Sequence, residues 1–361
     1  MPTGKDIFKF DLRTSSVFSF VCVIQIQTKL ETLFLFNCQT WAIKKALKGR
    51  KIKIFVFSSQ TNKKERKELE KILKSSRINF VLKSTSAKSS IGASRNAVFW
   101  LGKAEYSIFL DADVILEKDY FDNLDKCIRK YCSASGFAAG IGTSHCSKYG
   151  ILEGAMDLIA YLRNLDLAKK DFDKMMYSLS FSDLILGREK IFYNAAKKVL
   201  KKYEGVQTRA FQGFNQIIKR KDLEKLGGFD EKFWSAEDRE MAIRLIRNGK
   251  KIVFTPSIWA NHDYRFSFSD VLKRKRIHGF WYGELKRKFA DEKYLRITLK
   301  DRLKKFLNSL NPSEPFRGIR GRVYSISSFL AYAIPFILAE KLSVNPTRNK
   351  KGWVYRRDID K

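Results

Sequence analysis

Apolar positions in the first third of the chain alternate between short β-branched or aromatic runs and stretches with helical spacing. Val17 to Ile26 predicts a first strand, and Leu30, Leu33, Phe34, Trp41, Ile43 and Leu47 predict a helix ending near Gly49. Lys51 to Phe57 predicts a second strand, closed by Ser58-Ser59-Gln60. A charged helix from Lys63 to Leu73 then leads to a third strand, Ile78 to Leu82. This is a βαβαβ start, the signature of an α/β fold with a largely parallel sheet. Ile91-Gly92-Ala93-Ser94-Arg95-Asn96-Ala97 opens another helix. After it, Ser107 to Leu110 forms a buried-strand pattern that stops in Asp111 and Asp113. Parallel strands joined by right-handed crossovers put their carboxyl ends on one edge, so Ser58 and Ser59 share a rim with Asp111 and Asp113. Residues i and i+2 of an extended chain point the same way, so both carboxylates can face one cation or one nucleotide.

The pattern changes after Ser133. Small residues from Ala134 to Gly142 are followed by helical spacing around Leu152 to Leu167 and Lys190 to Tyr203. Glu237 and Asp238 stand in the first turn of a helix whose apolar face is Met241, Ile243, Leu245 and Ile246, with Asn248-Gly249 as its C-cap. A strand at Lys251 to Phe254 and the segment Trp259-Ala260-Asn261-His262-Asp263 come next. Phe268 to Phe289 is a basic helical stretch interleaved with Phe280, Trp281, Tyr282 and Leu285, a mixture that suits either an anionic membrane surface or a docked helix with a solvated face. Val323 to Ala339 is uncharged but shorter than the roughly 20 residues of a membrane-spanning helix, which favours an interfacial or core-docked helix. The basic tail from Asn345 is expected to be mobile.

Composition narrows the class. With 361 residues, 44% apolar content, 29 Phe and 6 Pro, the chain can bury a large core, which excludes a disordered protein. The net charge of +33 draws anions: nucleic acid, anionic lipid, or phosphorylated substrates. Cysteines are odd in number, five, and none has zinc or redox spacing, so a reducing compartment fits best. The apolar stretch at Val17 follows two acids and is interrupted by Gln25, unlike a cleavable leader.

Each chemical motif has two readings when taken alone. Asp111 and Asp113 are a cation or nucleotide site, or a solvated turn after a strand. Arg95, at a helix start built of small residues, is a phosphate fork or a structural ion pair. Glu237 and Asp238 are catalytic acids, or charges that complement a helix dipole. His145 lacks a partner at ligand spacing and fits a surface or loop position better than a metal site.

Taken together, Gly92 to Asn96, Phe109 to Val114, Gly213 to Arg220, Gly227 to Asp238 and His262 resemble the family-2 glycosyltransferases, enzymes with the nucleotide-binding GT-A fold. The resemblance covers Val17 to Asp263. The piece Gly227-Gly228-Phe229-Asp230-Glu231-Lys232-Phe233-Trp234 ahead of Glu237-Asp238 is also similar to the galactosyltransferase C-terminal segment of some polysaccharide-synthesising members. The implied division is an N-terminal extension (1–16) and a GT-A domain (17–265) made of a nucleotide-sugar half (17–132) and an acceptor half (133–265). A basic and apolar helical region (266–344) and a basic tail (345–361) complete it.

The resemblance implies metal-dependent, inverting transfer of a sugar from a nucleotide-diphosphate donor to a hydroxyl of a glycan or glycolipid, in cell-surface polysaccharide or glycolipid synthesis. Asp113 would be the principal ligand of Mn²⁺ or Mg²⁺. Asp111 would hold the ribose or a metal-bound water, and His262 would complete the ligand set. Asp238 would be the base and Glu237 would orient hydroxyls. Arg95, Asn96, Ser58, Ser59 and Gly213 would line the donor. Ser58 and Ser59 depart from the acids usual there, and Gln25 to Thr28 lacks the usual Pro and Asn, so the nucleotide pocket is expected to differ. The expected location is cytoplasmic, peripheral on the inner membrane face. The rival readings are a non-catalytic relative and a nucleic-acid binder. The second is disfavoured, because acid pairs at a sheet edge repel phosphate unless a cation intervenes.

Overall fold

The computed structural model describes residues 20–27, 30–50, 52–59, 61–179, 188–264, 267–292, 329–337, 344–349 and 352–357. Its first half runs β1 (Phe20–Gln27), α1 (Leu30–Leu47), β2 (Lys53–Ser59), α2 (Lys63–Ser76), β3 (Phe80–Thr85), α3 (Ile91–Phe99) and β4 (Tyr106–Asp111). The second half continues with β5 (Val114–Leu116), α4 (Tyr120–Lys130), β6 (Gly136–Cys146), α5 (Lys148–Leu162), α6 (Lys169–Ser178), α7 (Glu189–Lys201), β7 (Asn215–Lys219), α8 (Arg220–Lys225), α9 (Glu237–Arg247), β8 (Ile252–Tyr264) and α10 (Phe268–Lys288). The sheet has eight strands in the order β3-β2-β1-β4-β7-β6-β8-β5.

The sheet is mixed, and the mixture sets the site. β3, β2, β1 and β4 are parallel, as the βαβ pattern requires; β7 then enters antiparallel between β4 and β6, and β5 closes the far edge antiparallel to β8. Central strands are buried on both faces. Ile54 to Phe57, Ile108 to Leu110, and Phe137 to Ala139 are all core residues, which is why their sequence is continuously apolar rather than alternating. β3 is the half-exposed edge. It starts at Phe80 rather than Ile78 because Arg77 turns left-handed at φ 55 to end α2 and buries Ile78 in the corner.

One stretch to which the sequence assigns no element is now placed, and another departs from expectation. The small residues after Ala134 form the long strand β6. Gly140 and Gly142 leave room for the Trp259 side chain of neighbouring β8, whose ring carbons would lie 2.3 and 3.1 Å from Cβ atoms at those positions. The tail expected to be mobile pairs instead as an antiparallel hairpin, β9 (Val344–Asn349) with β10 (Gly352–Arg357). Trp353, Val354 and Tyr355 have strand propensity that the basic charge obscures.

α10 begins just past the expected boundary at 265, yet it packs on the body of the α/β domain. Phe280, Trp281, Leu285 and Phe289 form a cluster with Phe233, Ala236 and Ile243. Three of its basic residues turn inward: Lys275 to Glu153 at 2.9 Å, Arg274 to Asp157 at 3.5 Å, and Lys288 to Asp230 and Glu240 at 2.8 and 2.6 Å. The docked-helix reading therefore holds for this side of α10. No helix among the described residues is long and apolar enough to cross a membrane.

Candidate active site

β4 delivers Asp111 at its carboxyl end, and the chain turns through Ala112 and Asp113 into β5. Pairing of β5 with β8 places Val114 opposite His262, and Asp263 N–H donates to the Asp113 carbonyl at 3.1 Å. Two carboxylates and an imidazole thus converge, with ligand atoms of Asp111, Asp113 and His262 all within 4.8 Å of one another. His262 Nε2 lies 3.4 Å from Asp113 Oδ1, a buried oxygen that accepts no hydrogen bond. Burial raises the Asp113 carboxyl to about 6 and lowers His262 to about 4, the nearby Arg274 guanidinium adding to the second shift. A neutral imidazole and crowded, desolvated carboxylates are a donor set that a hard divalent cation fits.

Behind this cluster stands Arg95, 2% exposed, midway along α3. Its guanidinium donates to Glu237 Oε1 at 2.6 Å, to the Gly213 carbonyl at 2.5 Å and to Asp111 Oδ1 at 3.3 Å. Of the two roles open to Arg95 in the sequence, the structure shows the ion pair. It ties the turn that carries Asp111 to the start of α9. Burial raises Glu237 to about 7 against the opposing pull of Arg95. Asp238, next along α9, is half-buried and also raised, by burial first. Its carboxylate passes over Gly213, where a Cβ would stand 3.5 Å from Oδ2. Ala236, immediately before the acid pair, adopts the left-handed conformation at φ 62, ψ 15. For a residue with a Cβ this is local strain of the kind that collects at functional sites.

Asn96, expected at the donor, is bonded to the 229–231 loop. Its amide nitrogen donates to the Phe229 carbonyl at 2.9 Å and to Glu231 at 3.0 Å, and its oxygen accepts from Phe229 N–H at 2.9 Å. Gly92 belongs to the same junction, since a Cβ there would meet the Asp230 carbonyl oxygen at 2.5 Å. Gly92 of α3 thus admits the Gly227 to Glu231 loop. Ser58 and Ser59 do reach the expected rim. Gln25 of β1 pairs with Phe57 on one side and Asp111 on the other, so the serines sit one and two positions beyond that level. Both are buried; Ser58 hydrogen-bonds Thr61, whereas Ser59 Oγ has no partner among the described residues.

Sequence reasoning missed Gln39, Asp157, Arg274 and Tyr282. Gln39 is fully buried on α1 and donates from Nε2 to the Asp111 carbonyl at 2.7 Å, fixing the turn that carries the acids. A signal existed: Gln39 lies one turn before Ile43, a polar residue in an apolar stripe. Arg274 and Asp157 lie close enough to the triad to act on His262, and Tyr282, raised to about 12 by burial, feels both Asp238 and Asp157. Nothing in the spacing of α5 and α10 announces that these residues meet. The backbone of His145 pairs with Asp263 in the β6–β8 ladder.

No protein-family model and no curated protein matches this chain. Solved structures do. A mannosyltransferase from Pyrobaculum calidifontis, in complex with GDP-Man and Mn2+, superposes with a TM-score of 0.54 at 14% identity, over 89% of this chain and 86% of that one. GalNAc-T7 with UDP, GalNAc and Mn2+ gives 0.48 at 16% identity, over 81% and 54%. Residues 1–349 of S. aureus TarS with UDP give 0.44 at 12% identity, over 95% and 100%. The first of these likenesses establishes the architecture: the chain has a GT-A-type fold.

Proposed function

We propose that this GT-A-type chain is a metal-dependent glycosyltransferase that moves a sugar from a nucleoside diphosphate to an acceptor hydroxyl with inversion. The observation that carries this reading is the convergence of Asp111, Asp113 and His262 within 4.8 Å, braced through Arg95 to the Glu237-Asp238 pair. Chemistry explains why one cleft needs both groups. The bond from the anomeric carbon to the diphosphate oxygen breaks, and the electron pair leaves with the diphosphate. The acceptor oxygen forms the new bond from the opposite face, and its proton passes to a carboxylate. A divalent cation held by Asp113, Asp111 and His262 supplies charge neutralisation for the departing group.

Asp238 is the base. Glu237, held by Arg95, positions the first turn of α9 rather than meeting substrate directly. Ser59 Oγ, buried at the rim and without a partner among the described residues, is available to the nucleotide. The likeness to a GDP-Man-binding enzyme supports a nucleotide-sugar donor, and the acceptor is a glycan or glycolipid hydroxyl.

Thermal shift with nucleoside diphosphates tests the donor site. Stabilisation that requires Mn²⁺ is expected for the wild type, and ligand at about 100 times its dissociation constant contributes about 2.7 kcal/mol. Asp113→Asn should abolish the Mn²⁺-dependent part, and an unchanged shift in that variant would remove the metal assignment. Asp238→Asn should keep the shift while losing about 10² to 10⁴ in transfer rate. Near-normal turnover by Asp238→Asn would overturn its role as base.

A further inference from the structure

Among the described residues, the helix at 329–337 is held by α10. A Cβ at Gly279 would stand 2.1 Å from the Tyr332 carbonyl oxygen, so the glycine lets this helix lie directly on α10. Tyr332 lies 6.4 Å from Tyr282 and stacks on Phe336 at 5.9 Å, and Lys286 Nζ sits 5.6 Å from the centre of the Phe336 ring. Ala333 and Phe336 are buried. Leu330 and Ile334, one turn apart and on the opposite side by helical spacing, are 48% and 56% exposed. The sequence from Val323 to Ala339 carries no charge, so the stretch itself offers none to offset the apolar surface.

Charge surrounds this bare stripe. Lys286 stands at its docked edge, and Arg276, exposed and three residues before Gly279, lies on the same side of α10. In the sequence, Arg317, Arg320 and Arg322 precede the uncharged stretch and Lys341 follows it, within a chain of net charge +33. A second copy of the chain is a poor occupant. Two half-exposed aliphatic side chains offer on the order of 200 Å², against roughly 800 Å² per partner in a stable dimer. A bilayer surface needs less, because a shallow apolar contact is reinforced by each nearby basic residue at about 1 kcal/mol.

We propose that the outer face of the 329–337 helix seats this protein on an anionic lipid surface, with Leu330 and Ile334 in the acyl boundary and Arg276 and Lys286 at headgroup level. The helix lies on the bilayer and does not cross it. This answers what the uncharged stretch is for: one side docks on α10, which itself packs on the catalytic acid helix α9, and the other side meets lipid.

Co-sedimentation of the full chain with vesicles tests this. Wild type should bind vesicles of phosphatidylcholine with about one-third phosphatidylglycerol and lose binding on pure phosphatidylcholine. The double variant Leu330→Ser, Ile334→Ser leaves the net charge unchanged, and its partition into anionic vesicles should fall by about ten-fold or more. Leu330→Phe with Ile334→Trp should raise it, which keeps the test decisive if the serine variant melts early. Equal partition by all three proteins would mean that charge alone binds lipid, and the proposal would be overturned. It would be overturned too if sedimentation velocity showed a wild-type dimer that the serine variant dissociates, since a second copy would then cover the face. Binding is measured without nucleotide, so failure here leaves the Mn²⁺-dependent nucleotide shift standing, and the reverse.

Discussion

At the scale of single residues, Arg95 joins the two halves of the site. It touches Asp111, the Gly213 carbonyl and the first acid of α9 while almost wholly out of solvent. A buried charge without its partner is costly, so Arg95→Met should destabilise the fold by about 3 to 5 kcal/mol in a denaturant titration, because it strands Glu237. Adding Glu237→Gln to that variant should restore much of the loss, and a purely additive double variant would show that the two side chains do not act as a pair. This coupling was only half legible. The residue types and the order of Arg95, Asp111, Gly213 and Glu237 are in the sequence, but a phosphate fork and an internal brace require the same arginine.

At the scale of elements, the acid helix α9 is entered through strain. Ala236 at φ 62 holds a conformation that costs a residue with a Cβ roughly 1 kcal/mol. Ala236→Gly should therefore raise stability by about that amount in equilibrium unfolding, less the entropy that glycine adds to the unfolded chain. A loss of stability would show that the alanine methyl, buried against Phe233 and the α10 cluster, outweighs the strain. β6 teaches a related lesson. Its glycines resemble a loop in isolation and become strand residues only because Trp259 of β8 occupies the space above them. α1, α2 and α3, by contrast, were readable from periodicity, and the structure adds the Asn62–Glu65 capping box that opens α2.

At the scale of the whole molecule, the site is held together at a cost in charge burial, and pH should expose it. Burial lifts Glu237 from an ordinary 4.5 to about 7 in the folded state. The folded protein therefore keeps that proton where the unfolded chain releases it. The contribution is full below about pH 4.5 and is lost as pH rises through about 7. The melting temperature of the wild type should fall between pH 5 and 8 relative to Glu237→Gln, in which the slope should flatten; parallel curves would place the titration elsewhere. The sequence alone determined the βαβ half, the acids at the strand end and the helix behind Glu237-Asp238, because hydrophobic period and turn chemistry are local. Only the tertiary structure decided that Arg95 faces inward, that His262 joins Asp113 across the β5–β8 pair, and that α10 closes on the acid helix. Those outcomes depend on strand order and on which surfaces meet, and contacts between residues far apart in the sequence, 48 positions for Lys288 and Glu240 and 142 for Arg95 and Glu237, leave no period in a single chain.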